Sequence, residues 1–361
     1  MYLKIHNYEE LIILTENLQN TSPEWIAIDT EFHRESTYFP ILSLVQVATQ
    51  SQVWVIDTLS CTDITPLKKI LEDPSIKKIF HAGDQDWEIL KQAAGAITWP
   101  FTDTQIMATF AKMDYSSSLE SLALKLLNVS VDKSQQKTNW LQRPLQEEQL
   151  KYAASDAAYV AKIYPILNQK LTELDRNTWV DQEMSSLLQK YKRHPSKDWL
   201  KLCFMGCKWP VPFYAVGLAK WREKWAKKLN VPKRYVIADA LLDQALQAKS
   251  IKHINDDNCP KEAYKDLVKV WKNLTYTQNN QQEAYINKLQ HAVNNHLQIF
   301  NLKQRSILKK WKAKVRNIAK QLELPAHYIL NKQQLLQLVS GRKPTLPPWK
   351  KALFKKKPTV Q

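Results

Sequence analysis

Four acidic residues stand in three short segments of this chain: Asp29 and Glu31 in WIAIDTEFHRES, Asp86 in KIFHAGDQDWEIL and Asp156 in LKYAASDAAYV. The segments are otherwise rich in apolar residues, where acidic groups are kept out unless they are paired or bind a metal. Carboxylate oxygens are the ligands that hard divalent cations prefer. Two such cations about 3.5–4 Å apart can stabilise both the attacking and the leaving oxygen when a phosphodiester is hydrolysed. Holding them takes several anionic oxygens, and Asp29, Glu31, Asp86 and Asp156 would supply these. Tyr152 precedes Asp156 by one helical turn, so the two share a face. A phenol with an ordinary pKa of about 10 is a poor base at neutral pH, so Tyr152 is expected to orient the attacking water.

These groups need a scaffold that brings distant segments together. Asp29 follows the apolar run Trp25-Ile26-Ala27-Ile28, which reads as a buried strand. Residues two apart in a strand share a face, so Asp29 and Glu31 point the same way at its end. Further strand-like runs at 41–49 and 53–57 follow after connections short enough for an antiparallel meander. Asn7 with Glu10 has the form of a capping box opening a helix over 8–19. A helix is expected at 63–73, a fourth strand at 76–82, a helix at 86–95 ended by Gly95, and a fifth strand near 97–101. Helices follow at 103–112, 118–127 and 147–170, the last kinked or restarted by Pro165. The pattern is that of a mixed sheet with helices packed on it.

After about residue 171 strand signals nearly vanish. A basic, Trp-containing helix leads through a proline to an apolar helix twice, in KWREKWAKKLNVPKRYVIADALLDQAL and again in KWKAKVRNIAKQLELPAHYILNKQQLLQLV, which suggests two copies of one small helical domain. The tail KPTLPPWKKALFKKKPTVQ is expected to fray. Net charge is +17, unevenly shared: residues 1–170 hold 15 Lys+Arg against 21 Asp+Glu, and 171–361 hold 37 against 14. A surplus of +23 on one half points to a polyanion partner, nucleic acid first. No run of eighteen apolar residues is present, so no membrane span is expected, and the N-terminus is too polar for a secretory signal. Four cysteines without framework spacing suit the cytoplasm, and Cys203 and Cys207 read as buried thiols rather than zinc ligands.

The segments DTEFHRESTYFPILSLVQVA, HAGDQDWEIL and YAASDAAYV resemble the three exonuclease motifs of the DEDD superfamily, in its tyrosine-containing subgroup, and most nearly those of the bacterial ribonuclease D family. The resemblance covers the whole chain and implies an α+β, ribonuclease H-like exonuclease domain followed by two all-helical HRDC domains. Its boundaries would be 1–170 for the exonuclease domain, 171–208 for a helical linker, 209–289 for the first HRDC domain, and 290–361 for a second HRDC-like domain with the basic tail. It implies that Asp29, Glu31, Asp86 and Asp156 are metal ligands for two divalent ions, Mg or Mn, and that Tyr152 joins them in catalysis. The implied activity is stepwise 3′→5′ release of nucleoside 5′-monophosphates from RNA, with tRNA precursors as characteristic substrates.

Neighbouring residues have plainer expected roles. Asp103 reads as a helix cap, Asp84 as a cap or a support for the ligands, His81 as a packed histidine, and Arg34 and Glu35 as surface groups, with a phosphate contact as the alternative for Arg34. Phe32, Tyr38 and Phe39 are expected to pack, with stacking on a terminal base as the alternative. Trp221, Trp225 and Trp311 belong in cores, with Lys220, Lys224, Lys227, Lys228, Lys309, Lys310, Lys312 and Lys314 reaching phosphates from the exposed faces. Two other readings compete: a DNA exonuclease, weakened by the lack of an ATPase motif, and an inactive nucleic-acid adaptor, weakened by the intact acidic set.

Overall fold

The computed structural model describes residues 2–136, 138–192, 198–203, 208–255, 257–278, 283–297 and 299–355. Six strands form one mixed sheet: β1 (Leu3–Ile5), β2 (Trp25–His33), β3 (Ile41–Ala48), β4 (Val53–Asp57), β5 (Lys77–Phe80) and β6 (Phe101–Asp103). Their spatial order is β1-β4-β3-β2-β5-β6. The central meander β2–β3–β4 is antiparallel, as its short connections require. The outer pairs β1–β4, β2–β5 and β5–β6 are parallel. The edge strand β1 has no counterpart in the sequence reading, because three residues with one buried side chain carry no usable periodicity. Strand β2 runs four residues past Asp29, so both of its acids lie within the ladder, and the register breaks between Glu31 and Phe32. The last strand forms at 101–103 rather than 97–101. Pro100 has no N–H to give a ladder, and it enters only through its carbonyl, which accepts from the Lys78 N–H at 2.9 Å.

Seven helices surround the sheet: α1 (Tyr8–Thr21), α2 (Lys68–Leu71), α3 (Asp84–Ala93), α4 (Thr104–Phe110), α5 (Leu119–Leu127), α6 (Glu147–Glu173) and α7 (Asn177–Lys192). Asn7 caps α1 by accepting the Glu10 N–H at 2.9 Å, while the Glu10 carboxylate takes the N–H of His6 rather than that of Asn7. The helix expected at 63–73 shrinks to a 3₁₀ turn, Thr65–Leu67, and the single turn of α2. Helix α6 continues through Pro165 as one 27-residue helix, so the expected restart does not occur. One sheet face, with Ile26, Ile28, Val45, Val47 and Ile56, joins Leu11, Leu14 and Leu18 of α1 in the main core. On the opposite face Leu44 and Val55 meet Leu150, Ala153 and Ala154 of α6. Alanines here let the helix lie close to the sheet.

The rest of the described chain is helical: α8 (Val211–Leu229), α9 (Lys233–Val236), α10 (Asp239–Ala248), α11 (Lys261–Gln278), α12 (Glu283–His296), α13 (Leu302–Leu322), α14 (Ala326–Ile329), α15 (Lys332–Val339) and α16 (Pro348–Lys355). Helices α8 to α12 enclose a core of their own that includes Leu218, Trp221, Trp225, Leu242 and Leu267. The corner between α8 and α9 recurs between α13 and α14. Each long helix ends on a left-handed residue, Asn230 or Glu323. The next N–H reaches back to an alanine carbonyl, Val231 to Ala226 at 3.0 Å and Leu324 to Ala319 at 2.9 Å.

The second set of helices packs onto the sheet domain, where Val315, Ala319, Ile329 and Trp349 are part of the main core. The tail expected to fray is therefore held up to residue 355: Trp349 stacks on Trp179 at 4.8 Å, and Lys350 Nζ donates to Glu183 at 3.0 Å. A large aromatic surface, invisible to a composition argument, holds this segment. Residues 356–361 lie outside the described residues. None of the described helices is long and apolar enough to cross a membrane.

Candidate active site

The strand alternation of β2 turns Asp29 and Glu31 to the face covered by α6, from which Asp156 approaches. One ligand oxygen from each of Asp29, Glu31 and Asp156 lies within 4.8 Å of the others. Asp86 comes from the first turn of α3 and is not part of that triplet, but its charge acts directly on both Asp29 and Glu31. It is held by Thr30, whose hydroxyl donates to Asp86 Oδ1. Gly83 lets α3 begin tightly against β5, since a Cβ there would lie 2.5 Å from Phe80 Cβ.

Burial perturbs all four acids, and repulsion from the others adds to it at Asp29 and Glu31. Burial, then the charges of Asp86, Asp156 and Glu31, pushes Asp29 well above the ordinary aspartate range. Glu31 rises to about 9, from burial first and then Asp156 and Asp86. Asp86 rises only to about 6, since the Thr30 hydrogen bond opposes burial, and Asp156 to about 6, with Tyr152 opposing burial in the same way. Acids that resist ionisation together are a site short of positive charge, and a divalent cation inverts that balance. The donor set is oxygen alone, which suits Mg²⁺ or Mn²⁺ better than softer ions.

The Tyr152 hydroxyl is in hydrogen-bonding reach of Asp156, and burial followed by the charges of Asp156 and Glu31 raises its pKa far beyond neutrality. It keeps its proton, so it can donate a hydrogen bond but cannot act as a base. Its ring lies 6.1 Å from that of Trp140. Trp140 is anchored in turn: its carbonyl accepts from Ser43 Oγ at 2.5 Å and Arg143 Nη1 at 2.8 Å. Arg143 forks onto Asp57 at 2.8 and 2.7 Å. Burial alone would raise Asp57, but the Arg143 guanidinium and the amides of Leu59 and Ser60 outweigh it and hold the carboxyl below its usual range. Thr30, Trp140, Arg143 and Asp57 were missed in the sequence, where nothing local ties them to the acids.

The other candidates divide. Asp103 caps α4, accepting from the Gln105 N–H at 2.8 Å, whereas Asp84 is the first residue of α3 and Gly83 holds its cap position, so the cap expected of Asp84 is absent. His81 is packed, with Nδ1 2.9 Å from Thr104 Oγ1, and burial lowers its pKa. Glu35 is exposed, and Arg34 reaches back to Gln85 at 3.3 Å. Tyr38 neither stacks freely nor enters the sheet core: it packs against the core of α8–α12, with its hydroxyl on Glu223 and Lys227 and Lys233 over its ring. Phe39 is 37% exposed, and its N–H donates to Asn230 at 3.0 Å. Trp221 and Trp225 are buried and Trp311 half-buried. Of the lysines, Lys224, Lys227 and Lys228 pair with Asp266, Glu223 and Glu262, with their side chains still 50–62% exposed. Lys220, Lys309, Lys310, Lys312 and Lys314 are exposed. Cys203 is buried, and Cys207 lies outside the described residues.

Residues 2–172 match a family model described as a 3′-5′ exonuclease. Ribonuclease D of Zymomonas mobilis is 35% identical over 252 residues, 68% of this chain and 62% of that protein. Ribonuclease D of Bartonella henselae is 33% identical over 242 residues, 66% of this chain and 59% of its own length, so the chain spans less than two thirds of these curated relatives. The crystal structure of Escherichia coli RNase D, described as an exoribonuclease involved in structured RNA processing, matches with a TM-score of 0.81 at 25% identity, over 98% of this chain and 96% of that one.

Proposed function

This chain belongs to the ribonuclease D family, and from that premise we propose that it is a divalent-metal-dependent 3′→5′ exoribonuclease that trims tRNA precursors and other structured small RNAs, releasing nucleoside 5′-monophosphates. The observation that carries the reading is the convergence of Asp29, Glu31 and Asp156 within 4.8 Å, with Tyr152 beside them. Asp29, Glu31, Asp86 and Asp156 would hold two cations, Mg²⁺ or Mn²⁺. When bound, these would supply the positive charge that an all-acid site lacks and would stabilise the attacking and leaving oxygens. Tyr152 keeps its proton and orients the attacking water along the scissile P–O3′ bond. Water oxygen bonds to phosphorus and gives up a proton to solvent, the P–O3′ bond breaks, and the leaving O3′ takes a proton from solvent, so that the shortened strand gains a 3′-hydroxyl.

An anionic pocket repels RNA, so recruitment falls to the basic half, whose exposed lysines on α13 offer phosphate contacts away from the acids. We divide the chain into 1–170 for catalysis, 171–208 as linker, and 209–289 and 290–361 as helical RNA-holding modules of HRDC type. Free thiols at Cys61 and Cys259 support a cytoplasmic setting.

The test is digestion of 5′-labelled and 3′-labelled strands of RNA and DNA, with Mg²⁺, with Mn²⁺ and with chelator. A 5′-labelled RNA ladder shortening from its 3′ end, only with metal, is the expected result. Equal digestion of DNA would favour a DNA exonuclease, and binding without digestion an inactive adaptor.

A further inference from the structure

We propose that Gln46 is a positioning residue for the acidic site: its side-chain amide donates a hydrogen bond to the Asp29 carboxylate when cations are held, and so sets which oxygen of Asp29 faces them. This rests on the metal-dependent reading above and concerns a residue outside the acidic set.

Gln46 is fully buried in β3, directly across the β2–β3 pair from Asp29 and across the β3–β4 pair from Val55. Residues opposite one another in an antiparallel pair share a face, with Cβ atoms about 4.5–5.5 Å apart, a gap that a glutamine side chain spans. Among the described residues, neither Nε2 nor Oε1 of Gln46 has a hydrogen-bond partner. A buried amide left in that state is penalised, and an apolar side chain of the same length would fill the space at no such cost. On the α6 side, Ala153 and Ala154 cover this face together with Leu44 and Val55 of the sheet.

Two other acids of the cluster each have a donor of their own. Thr30 donates to Asp86, and the Tyr152 hydroxyl is in hydrogen-bonding reach of Asp156. Asp29 takes the backbone N–H of Thr30 but, among the described residues, no side-chain donor, while an amide with two uncommitted N–H groups stands opposite it. The pairing supplies a donor to the one and a partner to the other. Groups that hydrogen-bond a ligand carboxylate fix its orientation, and losing one typically weakens metal binding by roughly 10–100-fold.

The experiment follows thermal melting of the full chain as Mg²⁺ or Mn²⁺ is titrated, for the natural sequence, Gln46→Met and Gln46→Leu, together with kcat and KM on a labelled RNA. Both variants should melt in chelator at or above the natural protein, need at least tenfold more cation for the half-maximal melting shift, and lose kcat with little change in KM. A cation titration unchanged within twofold overturns the proposal. So does a lower melting point in chelator with an unchanged titration, or failure of both variants to fold, since each makes the amide a structural group only. A natural protein whose melting ignores both cations would instead remove the metal site itself, a separable failure.

Discussion

Replacing Glu31 with glutamine should stabilise the metal-free protein while destroying its activity. Glu31 is held at about 9, against an ordinary 4.5. A carboxyl whose pKa is raised on folding is neutral in the native state and ionised in the unfolded chain between those two values. It therefore costs nothing below pH 4.5, costs more with each pH unit up to 9, and stays at its full cost above that. At pH 7 the span above the unfolded value is about 2.5 units, or about 3 kcal/mol at 1.36 kcal/mol per unit. That figure is a ceiling, because Asp29, Asp86 and Asp156 share the repulsion and relax when one member is neutralised. A gain of about 1–3 kcal/mol, at 2–4 °C per kcal/mol for a domain of this size, is a rise of about 2–12 °C. Differential scanning calorimetry in chelator should show Glu31→Gln melting above the natural protein at pH 8, with the gap closing towards pH 5. In millimolar Mg²⁺ or Mn²⁺ the order should reverse, since a ligand binding only the native state stabilises it by about 2.7 kcal/mol at a hundred times its Kd. A variant that melts lower than the natural protein in chelator at pH 8, or that keeps the full cation shift, would refute the picture of four acids strained against one another.

Tyr152→Phe should lower kcat by about 10–100-fold and leave the cation-induced melting shift intact, as measured by single-turnover kinetics and melting; an unchanged rate would remove Tyr152 from the orientation of water. Asp57→Asn, which breaks the buried fork to Arg143 and loosens Trp140 behind Tyr152, should cost about 2–4 kcal/mol in urea unfolding at pH 7 and lower kcat as well. Because the Asp57 carboxyl is held below its ordinary value of 3.8, its stabilisation is complete above that value and is lost as pH falls through the depressed one, so the difference between natural and variant proteins should shrink only under strong acid. Changing Lys309, Lys310 and Lys312 together to glutamine should flatten the dependence of log K for single-stranded RNA on log salt by up to about 2, from about 0.7 per phosphate contact; an unchanged slope would place the RNA elsewhere.

The acid-bearing segments were readable because their chemistry conflicts with their surroundings. A strand that ends Ile-Asp-Thr-Glu on its way out of an apolar run has to do something with two carboxylates, and alternation alone puts them on one face. The antiparallel meander was readable from loop length. What stayed hidden depends on groups far apart in sequence. Thr30 lies on the opposite face of β2 from the acids and looks like an ordinary strand threonine until Asp86 arrives on α3. Arg143 and Asp57 are 86 residues apart, and only the fold makes them a fork. The tail was misread because lysine and proline content measures solubility, not whether one buried tryptophan finds a matching ring. The ion pairs of Lys224 and Lys228 were hidden for a related reason: a helix with lysines on its polar side can turn that side towards acids of a neighbouring helix.

The repeated helical corner gives the second half a use beyond charge. In both copies the left-handed residue that ends the long helix is also where the module meets the sheet domain. Asn230 accepts the N–H of Phe39, and Glu323 pairs with Lys112 at 2.7 Å. A helix end of this kind carries exposed carbonyls and a side chain turned away from the helix axis, so it suits a polar docking point wherever the helix leads. The two contacts differ in what they grip. Lys112 lies just after α4, in a part of the sheet domain that Arg176 also ties to the Leu322 carbonyl at 2.7 Å, and this contact secures the fold. Phe39 and Tyr38 lie in the loop between β2 and β3, which begins after His33, and Arg34 in the same loop touches Gln85 beside Asp86. The first module thus holds a segment that connects two of the site's acidic elements. The contacts of Tyr38 with Glu223 and of Phe39 with Asn230 tie α8 to a loop whose Phe39 is eight residues along the chain from Glu31.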